Sequence, residues 1–296
     1  MYYYIVNPAA GRGQIKGLQN RIRAKLEDLG IRGEWNKTTG PGDATKMTQA
    51  AIAAGHTTIV AVGGDNTVNE VINGVEKESV AIGIIPIGSS NRVANQLGIY
   101  HWQQACEALA ARRLTPYSLI AAGQNFFLST LTLGFETDLD KTVDPTETSL
   151  RARVGRFSKT FGKARKFETL HCKIDVNGEY KLECDLFNLS IANQKFLNPL
   201  AENRLIISIT DRPATLKLGK TVWQTINRRT HGELEDTTTR FLADRVVIET
   251  DPPTGIIVDG KVATRTPIAI RLTDRSVRFI TEKVVADFKE AVSSKD

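Results

Sequence analysis

The sequence predicts an α/β protein with a doubly wound first domain and a β-sandwich-like second domain. Up to about residue 118, short apolar runs alternate with segments in which apolar residues recur at helical spacing. Such alternation is typical of a parallel sheet that is covered by helices on both faces. From residue 119 onward, many short apolar runs are separated by turn residues, which is typical of an antiparallel sandwich or barrel.

The first domain is expected to contain a series of strands that are each followed by a helix. Apolar runs predict the strands at 3–6, 33–36, 59–62 and 81–86. The predicted helices are one through Leu18, Ile22, Leu26 and Leu29, one that begins at Asp43, one that follows the glycines at 63–64, and two at Arg92–Leu97 and Trp102–Ala111.

The second domain is expected to span residues 119–281. The pair Asn177-Gly178 predicts a β-hairpin turn. A final helix at 284–291 is expected to pack on the first domain, which therefore comprises 1–118 and 282–296. The predicted strands are 126–131, 172–176, 180–183, 186–192, 205–210, 245–249, 255–259, 268–272 and 277–281.

Composition narrows the classes of function. The chain has 41% hydrophobic and 24% charged residues, three cysteines and four scattered histidines. These values fit a cytoplasmic protein without a disulfide framework or a zinc site, and no segment approaches the about 18 apolar residues of a membrane span. The net charge of +6 permits an anionic partner. No nucleic-acid-binding motif accompanies the charge, so nucleic acid is not expected as that partner.

The run from Ala61 to Val71 is the most informative part of the chain. A buried strand leads into two glycines, which permit close backbone approach, and then into a helix start, which favours phosphate. Asp65 at this turn is expected to be a magnesium ligand or a base. The alternative is an ordinary strand–helix turn in which Asp65 caps the helix.

Three glycine-containing turns are expected to meet at one edge of the sheet, because the carboxyl ends of parallel strands lie together. They are 7–13, 63–67 and 88–91. Each contains small hydroxyl or amide side chains. Together they predict a surface rich in hydrogen-bond donors that suits a polyphosphate.

A basic helix is predicted between Leu150 and Phe167. Its apolar residues recur at spacings of three and four, and it contains basic residues but no acidic ones. This pattern suits an anionic membrane surface. A solvated helix packed on the second domain is the alternative. The basic residues are Arg151, Arg153, Arg156, Lys159, Lys163, Arg165 and Lys166.

Four motifs occur in the order seen in the diacylglycerol kinase catalytic family. They are Asn7-Pro8-x-x-Gly11, Gly63-Gly64-Asp65-x-Thr67-x-Asn69-Glu70-Val71, Ile85-Pro86-x-Gly88-Ser89-x-Asn91 and Val258-Asp259-Gly260. The chain resembles the bacterial lipid kinases of that family along nearly its whole length. The resemblance implies a two-domain, ATP- and Mg²⁺-dependent lipid kinase of phospholipid metabolism, with the nucleotide between the domains and a lipid substrate such as diacylglycerol.

The resemblance also implies roles for individual residues. Asp65 would ligate magnesium, and Asp65 and Asp259 would be catalytic. The implied location is cytoplasmic and peripheral on the inner membrane face, and the oligomeric state is open, a homodimer included. The nucleotide-binding residues would be Asn7, Gly11, Thr38, Gly63, Gly64, Asp65, Asn66, Thr67, Asn69, Glu70, Gly88, Ser89 and Asn91.

Several positions depart from the family pattern. Asn66 replaces a glycine, and Lys261 replaces the glutamate to which catalytic work is assigned. Arg92 stands where Asp is common, and Glu202-Asn203-Arg204 replaces a metal-supporting segment. A lysine at 261 suits a phosphate contact better than a base. Two alternatives to an active lipid kinase therefore stay open: an impaired member that binds lipid or nucleotide, and a kinase with a different phosphoryl donor.

Overall fold

The computed structural model describes residues 1–13, 15–76, 79–135, 150–212, 238–258 and 261–282. Side chains are described within these ranges except at 12, 150–157 and 261–263. The chain forms two compact units. Unit 1 contains Met1–Ser129, Asn193–Asn203 and the chain from Leu272 onward, and unit 2 contains Thr130–Ala192 and Arg204–Arg271.

The centre of unit 1 is a parallel sheet in the order β2-β1-β3-β4. The two central strands β3 and β4 are buried along their whole length, which explains their uninterrupted apolar sequences. The predicted doubly wound α/β class is confirmed. The strands are β1 (Tyr2–Val6), β2 (Gly33–Lys37), β3 (Thr58–Gly63) and β4 (Ala81–Pro86).

In the described part of residues 1–111, five α-helices accompany this sheet. α1 packs beside α5, and α2 packs beside α3. The second contact is close because of Gly74, where an added Cβ would lie 2.6 Å from the carbonyl oxygen of Thr45. The helices are α1 (Ile15–Asp28), α2 (Asp43–Ala53), α3 (Asp65–Gly74), α4 (Arg92–Gln96) and α5 (Trp102–Ala111).

The rest of the described chain is mostly β. The elements are β5 (Leu114–Ala122), β6 (Asn125–Phe127), β7 (Thr130–Gly134), α6 (Leu150–Lys166), β8 (Leu170–Val176), β9 (Tyr180–Leu186), β10 (Asn188–Asn193), α7 (Gln194–Leu197), β11 (Leu205–Thr210), β12 (Thr238–Ala243), β13 (Arg245–Asp251), β14 (Gly255–Val258), β15 (Lys261–Arg265) and β16 (Ile268–Ile280).

Unit 2 is built from antiparallel strands, as predicted for the second domain. One sheet has the order β12-β11-β10-β7-β14-β15. In a second group, β13 lies between the start of β16 and β8, and β9 follows β8. The predicted hairpin turn is confirmed, since both Asn177 (φ 55°) and Gly178 (φ 75°) have positive φ values.

Two strand predictions are wrong. The expected strand 126–131 is two strands, because β6 pairs with β5 whereas β7 pairs with β10. The expected pair 268–272 and 277–281 is the single strand β16, in which Thr273 is buried and its hydroxyl donates to the carbonyl of Leu119 at 2.9 Å. The pattern of apolar residues in a sequence does not show where the pairing strand changes. It also does not show that a buried hydroxyl has a hydrogen-bond partner.

Other differences concern elements without a strong apolar signal. β12 and β15 were not expected from the sequence. The predicted helix 284–291 lies outside the described residues. The assignment of a nucleotide to the first domain and a lipid to the second stays a prediction.

α6 confirms the predicted basic helix. In its second half Thr160 and Ala164 are buried, and Phe161 packs against the core pair Phe135 and Phe187. The apolar stripe is therefore covered by unit 2 itself at these positions, as the packed-helix alternative requires. None of the helices that the structure describes has the length and hydropathy needed to cross a bilayer.

Candidate functional site

The first two glycine-containing turns meet at the carboxyl ends of β1 and β3. The side-chain amide of Asn7 donates to Thr67 Oγ1 at 3.0 Å, and the backbone N–H of Asn7 donates to the carbonyl of Val62 at 2.9 Å. Thr67 is buried in the first turn of α3. The structure therefore brings the turn 7–13 against the turn 63–67, as expected from parallel strand order.

The second and third turns touch through their backbones. A Cβ added to Gly88 would lie 2.5 Å from Gly64 Cα, a distance that real Cβ atoms essentially never show. A Cβ added to Gly63 would lie 2.4 Å from Thr67 Oγ1. Glycine is required here by close approach, and the second turn contacts both the first and the third.

Asn91 closes the third turn. Its side-chain oxygen accepts from the N–H of Gly88 at 2.9 Å, and its side-chain amide donates to the carbonyl of Gly88 at 2.8 Å. Asn91 has a φ of 52°, which asparagine tolerates better than most residues. The neighbouring Ser89 is exposed at the tip of the turn. Asn91 thus shapes the turn, and a nucleotide contact by its side chain stays a prediction.

Asp65 joins α3 to α4. It is 8% exposed, and its Oδ1 accepts from the backbone N–H of Val93 at 3.0 Å. The alternative that Asp65 is the N-cap of α3 is wrong, because Gly64 is the N-cap and Asp65 is the first helical residue. The carboxylate instead satisfies an N–H group in the first turn of α4. Among the described residues, no hydrogen bond engages its second oxygen.

Asn66 is half-buried in the first turn of α3. N–H groups at the start of a helix have no partner inside the helix and are available to an anion. Asn66 directly follows Asp65, so its side chain lies in the first turn of α3. The expectation that a side chain at this position takes space that a nucleotide α-phosphate needs stays a prediction.

Two predicted nucleotide residues bind other parts of unit 1. Glu70 Oε2 accepts from the N–H of Ala44 at 3.2 Å, and the Glu70 carbonyl accepts from Thr45 Oγ1 at 2.9 Å. The amide of Asn69 donates to the carbonyl of Phe126 in β6 at 3.5 Å, and its side-chain oxygen accepts from Asn73 within α3 at 3.1 Å. These contacts hold α3 against its neighbours, and direct nucleotide contacts by Glu70 and Asn69 are not tested by them.

Sequence reasoning missed Asn73. Its amide donates to the carbonyl of Phe126 at 2.7 Å, and the N–H of Phe126 donates to its oxygen at 2.9 Å. One side chain thus satisfies both backbone groups of a residue in β6. The sequence signal that could have located Asn73 is its spacing of four residues from Asn69, which places two polar side chains on one face of a helix.

The loop after β2 carries the remaining predicted residue of this region. Thr38 is almost fully buried, and its N–H donates to the carbonyl of Val6 at 2.9 Å. Asp43 Oδ2 accepts from Thr39 Oγ1 at 2.5 Å, from Thr39 N at 2.7 Å and from Gly40 N at 3.0 Å. Hydrogen bonds from Thr39 lower the pKa of Asp43 below its usual value. Gly11, in the first turn, has a φ of 55°.

Several predicted residues lie wholly or partly outside the description. Asp259 is not described, and Lys261 is described only by its backbone at the start of β15. The side chains of Arg151, Arg153 and Arg156 are likewise outside it, whereas those of Lys159 and Lys163 are exposed. The segment that replaces a metal-supporting motif is Glu202-Asn203-Arg204, and its central residue is uncharged. The amide of this Asn203 donates to Ser118 Oγ at 2.9 Å.

The described residues contain no group of three or more His, Cys, Asp or Glu side chains that could hold a metal ion. Magnesium bound with a nucleotide usually takes one or two carboxylates and completes its shell with phosphate and water oxygens. The second oxygen of Asp65 therefore fits such an ion.

The segment that contains the three turns is similar to a known protein family. Residues 1–122 match the family model of the diacylglycerol kinase catalytic domain. The resemblance to this family is confirmed. The diacylglycerol kinase match includes Asp65, Asn66 and Asn91, whereas Asp259 and Lys261 follow it in the chain.

Curated relatives carry the same family name. A diacylglycerol kinase from Bacillus subtilis (strain 168) is 37% identical over 97 residues, which is 32% of this chain and 32% of that protein. A diacylglycerol kinase from Staphylococcus saprophyticus is 26% identical over 196 residues, 64% of this chain and 63% of that protein. The chain therefore aligns with about one third to just under two thirds of the length of these relatives.

The fold extends beyond the matched segment. A crystal structure of a diacylglycerol kinase from Bacillus anthracis str. Sterne superposes with a TM-score of 0.71 at 21% identity. The superposition covers 96% of this chain and 97% of the other. At this identity it shows a common fold for nearly the whole chain.

Proposed function

We propose that the protein is an ATP- and Mg²⁺-dependent lipid kinase that phosphorylates a hydroxyl group of diacylglycerol or a related lipid. The observation that carries the proposal is the meeting of three glycine-containing turns within the segment that matches the diacylglycerol kinase catalytic domain. The fold likeness and the family name of the curated relatives support it.

The three turns suit a polyphosphate for physical reasons. The start of α3, which follows Gly64, offers backbone N–H groups to an anion. Phosphoryl transfer mainly requires alignment and charge neutralisation. When bound, ATP would supply the phosphoryl group and Mg²⁺ would supply positive charge beside it. Asp65 would hold the metal through its second carboxylate oxygen.

The acceptor hydroxyl also needs a proton acceptor. Lys261 cannot accept a proton at neutral pH while it is charged. We assign this role to Asp259 when Asp65 holds the metal, and to Asp65 when it does not, since both are carboxylates of the motifs that carry the resemblance. Lys261 would instead contact a phosphate.

A peripheral location on an anionic membrane surface follows from the lipid substrate and the basic helix. Exposed Lys159 and Lys163 on α6 support it, although the apolar side of this half of α6 is buried in unit 2. Electrostatic attraction, rather than insertion of that apolar stripe, would hold the protein at the membrane.

Two sequence features each favour a different alternative. Asn66 at the start of α3 favours a phosphoryl donor smaller than ATP, such as pyrophosphate, because a side chain there takes space near the α-phosphate. Lys261 in place of glutamate favours a family member that binds its ligands without turnover.

The test combines binding and turnover. Calorimetry with Mg²⁺ compares ATP with pyrophosphate, and an assay with diacylglycerol in mixed micelles follows phosphate transfer. ATP binding with Mg²⁺-dependent lipid phosphorylation supports the proposal. ATP binding without transfer to any lipid of a panel indicates an impaired member, and transfer from pyrophosphate alone indicates the other donor.

A further inference from the structure

Two of the three cysteines of the chain lie directly opposite each other in unit 2. Cys172 of β8 pairs in register with Cys184 of β9, and both thiols are free. Because side chains of directly opposite residues point to the same face of a sheet, the two thiols are neighbours. Burial, and then the nearby Cys184, raise the pKa of Cys172 to about 12.

The backbone spacing of this pair suits a disulfide bond. The N–H of Asn177, which follows β8 directly, donates to the carbonyl of Arg245 at 2.9–3.1 Å-type ladder distance, 3.0 Å. Backbone direction alternates along a strand, so the even-numbered residues of β8 point toward β9, and Cys172 forms a hydrogen-bonded pair with Cys184. The Cα atoms of such a pair lie about 5.5 Å apart, within the range of about 4.4–6.8 Å that a disulfide spans.

Closing the bond requires a small movement of the strands. Cβ atoms of opposite residues in a sheet lie about 4.5–5.5 Å apart, whereas a disulfide holds them at about 3.8 Å. β9 is free to approach β8, because no strand pairs with its other side among the residues that the structure describes. A disulfide that departs from its preferred geometry is more easily reduced, so this bond is expected to be reversible.

The two thiols differ in access to solvent. Cys172 is 0% exposed, whereas Cys184 is half-buried, and its neighbour two residues earlier on the same face of β9, Leu182, is 41% exposed. A reagent in solution therefore reaches Cys184 first. Burial, and then the charges of Asp211 and Asp185, raise the pKa of Cys184. These carboxylates disfavour an anionic reagent and favour a cationic one.

We propose that Cys172 and Cys184 form a reversible disulfide by exchange with a low-molecular-weight disulfide. The thiolate of Cys184 attacks one sulfur of the reagent and expels a first thiolate. Cys172 then loses its proton, attacks the sulfur of Cys184 in the mixed disulfide and expels a second thiolate. The two expelled thiolates take up the two protons that the cysteines have lost.

Two electrons thus pass from the cysteine pair to the reagent, and one S–S bond of the reagent is replaced by one in the protein. Disulfides of cytosolic proteins are usually transient and redox-sensing, and an easily reduced bond between neighbouring strands fits that role. The proposal does not depend on the kinase activity.

The test is oxidation of the folded full chain in buffers of cystamine and cysteamine, a cationic disulfide and its thiol. Acid quenching, alkylation in denaturant and peptide mass spectrometry then locate every thiol. The expected product links Cys172 to Cys184 and leaves Cys106 alkylated. Because two thiols are released, a tenfold rise in cysteamine at constant cystamine should lower the oxidised fraction from about nine-tenths to about one-tenth.

Single cysteine variants separate the two steps of the exchange. Cys172→Ala removes the second thiol and is expected to keep one cysteamine bound to Cys184 as a mixed disulfide. Cys184→Ala should take up no reagent at the buried Cys172. Cys106→Ala is the matched control, because it removes the other buried cysteine, in α5, and should be oxidised like the original protein. Circular dichroism and thermal unfolding establish that each variant is folded.

The original protein by itself can overturn the proposal. Three thiols that stay free at every buffer ratio overturn it, as does a link that forms only in urea-unfolded protein. A link that involves Cys106 or joins two molecules also overturns it. A bond between Cys172 and Cys184 that cysteamine does not reverse would contradict the proposed exchange.

Discussion

One carboxylate oxygen of Asp65 accepts a hydrogen bond from the backbone N–H of Val93 at 3.0 Å. The residue that the sequence singles out for chemistry therefore also holds the start of α4. Structural and catalytic effects of a substitution at Asp65 can be separated, because an amide keeps an oxygen acceptor and loses only the charge.

Asp65→Asn is expected to abolish lipid phosphorylation and to change stability little, since the amide oxygen still accepts from Val93. Asp65→Ala should also lower the free energy of unfolding, by about 1–2 kcal/mol, through the lost helix-start hydrogen bond. Turnover assays and urea unfolding of both variants measure the two effects. Retained turnover in Asp65→Asn would exclude a charged catalytic role.

Asn66→Gly is expected to tighten ATP binding, because it removes the side chain at the start of α3. Calorimetry measures the ATP affinity of both proteins, with pyrophosphate as the internal comparison. Pyrophosphate binding should change less, since it has no α-phosphate linked to a nucleoside. An unchanged ATP affinity would refute the steric argument.

Asn73→Ala is expected to lower the free energy of unfolding by about 1–3 kcal/mol, because the N–H of Phe126 loses its partner and its carbonyl keeps only the long hydrogen bond, 3.5 Å, from Asn69. Asn95→Ala is a matched control, since Asn95 is exposed and its only side-chain hydrogen bond among the described residues is a long one, 3.4 Å, to the Ser90 carbonyl. Chemical denaturation measures the free energy of unfolding of both variants. Equal small losses would show that the Asn73 contacts contribute little.

Vesicle binding is expected to require anionic lipid and to weaken as salt is added. The double variant Lys159→Glu/Lys163→Glu should bind less, whereas Arg32→Glu, an exposed charge reversal in unit 1, should bind like the original protein. Flotation with neutral and anionic vesicles measures this. Binding that ignores lipid charge and salt would leave α6 as a packed structural helix.

His171 predicts a pH dependence of stability. Hydrogen bonds to Asp185 and then Glu183 raise the pKa of His171 above 6.5. A raised pKa in the folded state stabilises the protein at pH values below the unfolded pKa, and this contribution is lost as pH rises through the folded pKa. The stability difference between the original protein and His171→Gln should therefore shrink as pH increases above 6.5.

Thermal unfolding from about pH 5 to about pH 9 measures that difference. A histidine NMR titration assigns the pKa directly, and Asp185→Asn should lower it. A difference that stays constant across the range would mean that the two carboxylates do not hold the imidazolium.

The sequence predicted the parts of unit 1 that depend on local patterns. Apolar runs located β3 and β4, and the glycines at 64 and 88 located the turns, because both are set by burial or close backbone approach. The contact of Asp65 with Val93 and the clamp of Asn73 on Phe126 were not predictable, since each joins residues far apart in the chain. A polar residue such as Thr273 indicates a turn in the sequence, because the sequence does not show that its hydroxyl donates to the buried carbonyl of Leu119.

The path of the chain has a consequence for how the protein is made. In unit 1 the end of β16 extends the parallel sheet, because Phe279 pairs with Ile82 of β4, nearly two hundred residues earlier in the sequence. In an emerging chain one side of β4 therefore stays open until β16 has been synthesised. A fragment that stops at residue 122 would retain every glycine-containing turn and still lack this strand. Folding of unit 1 is thus expected to be a late event that follows synthesis of unit 2.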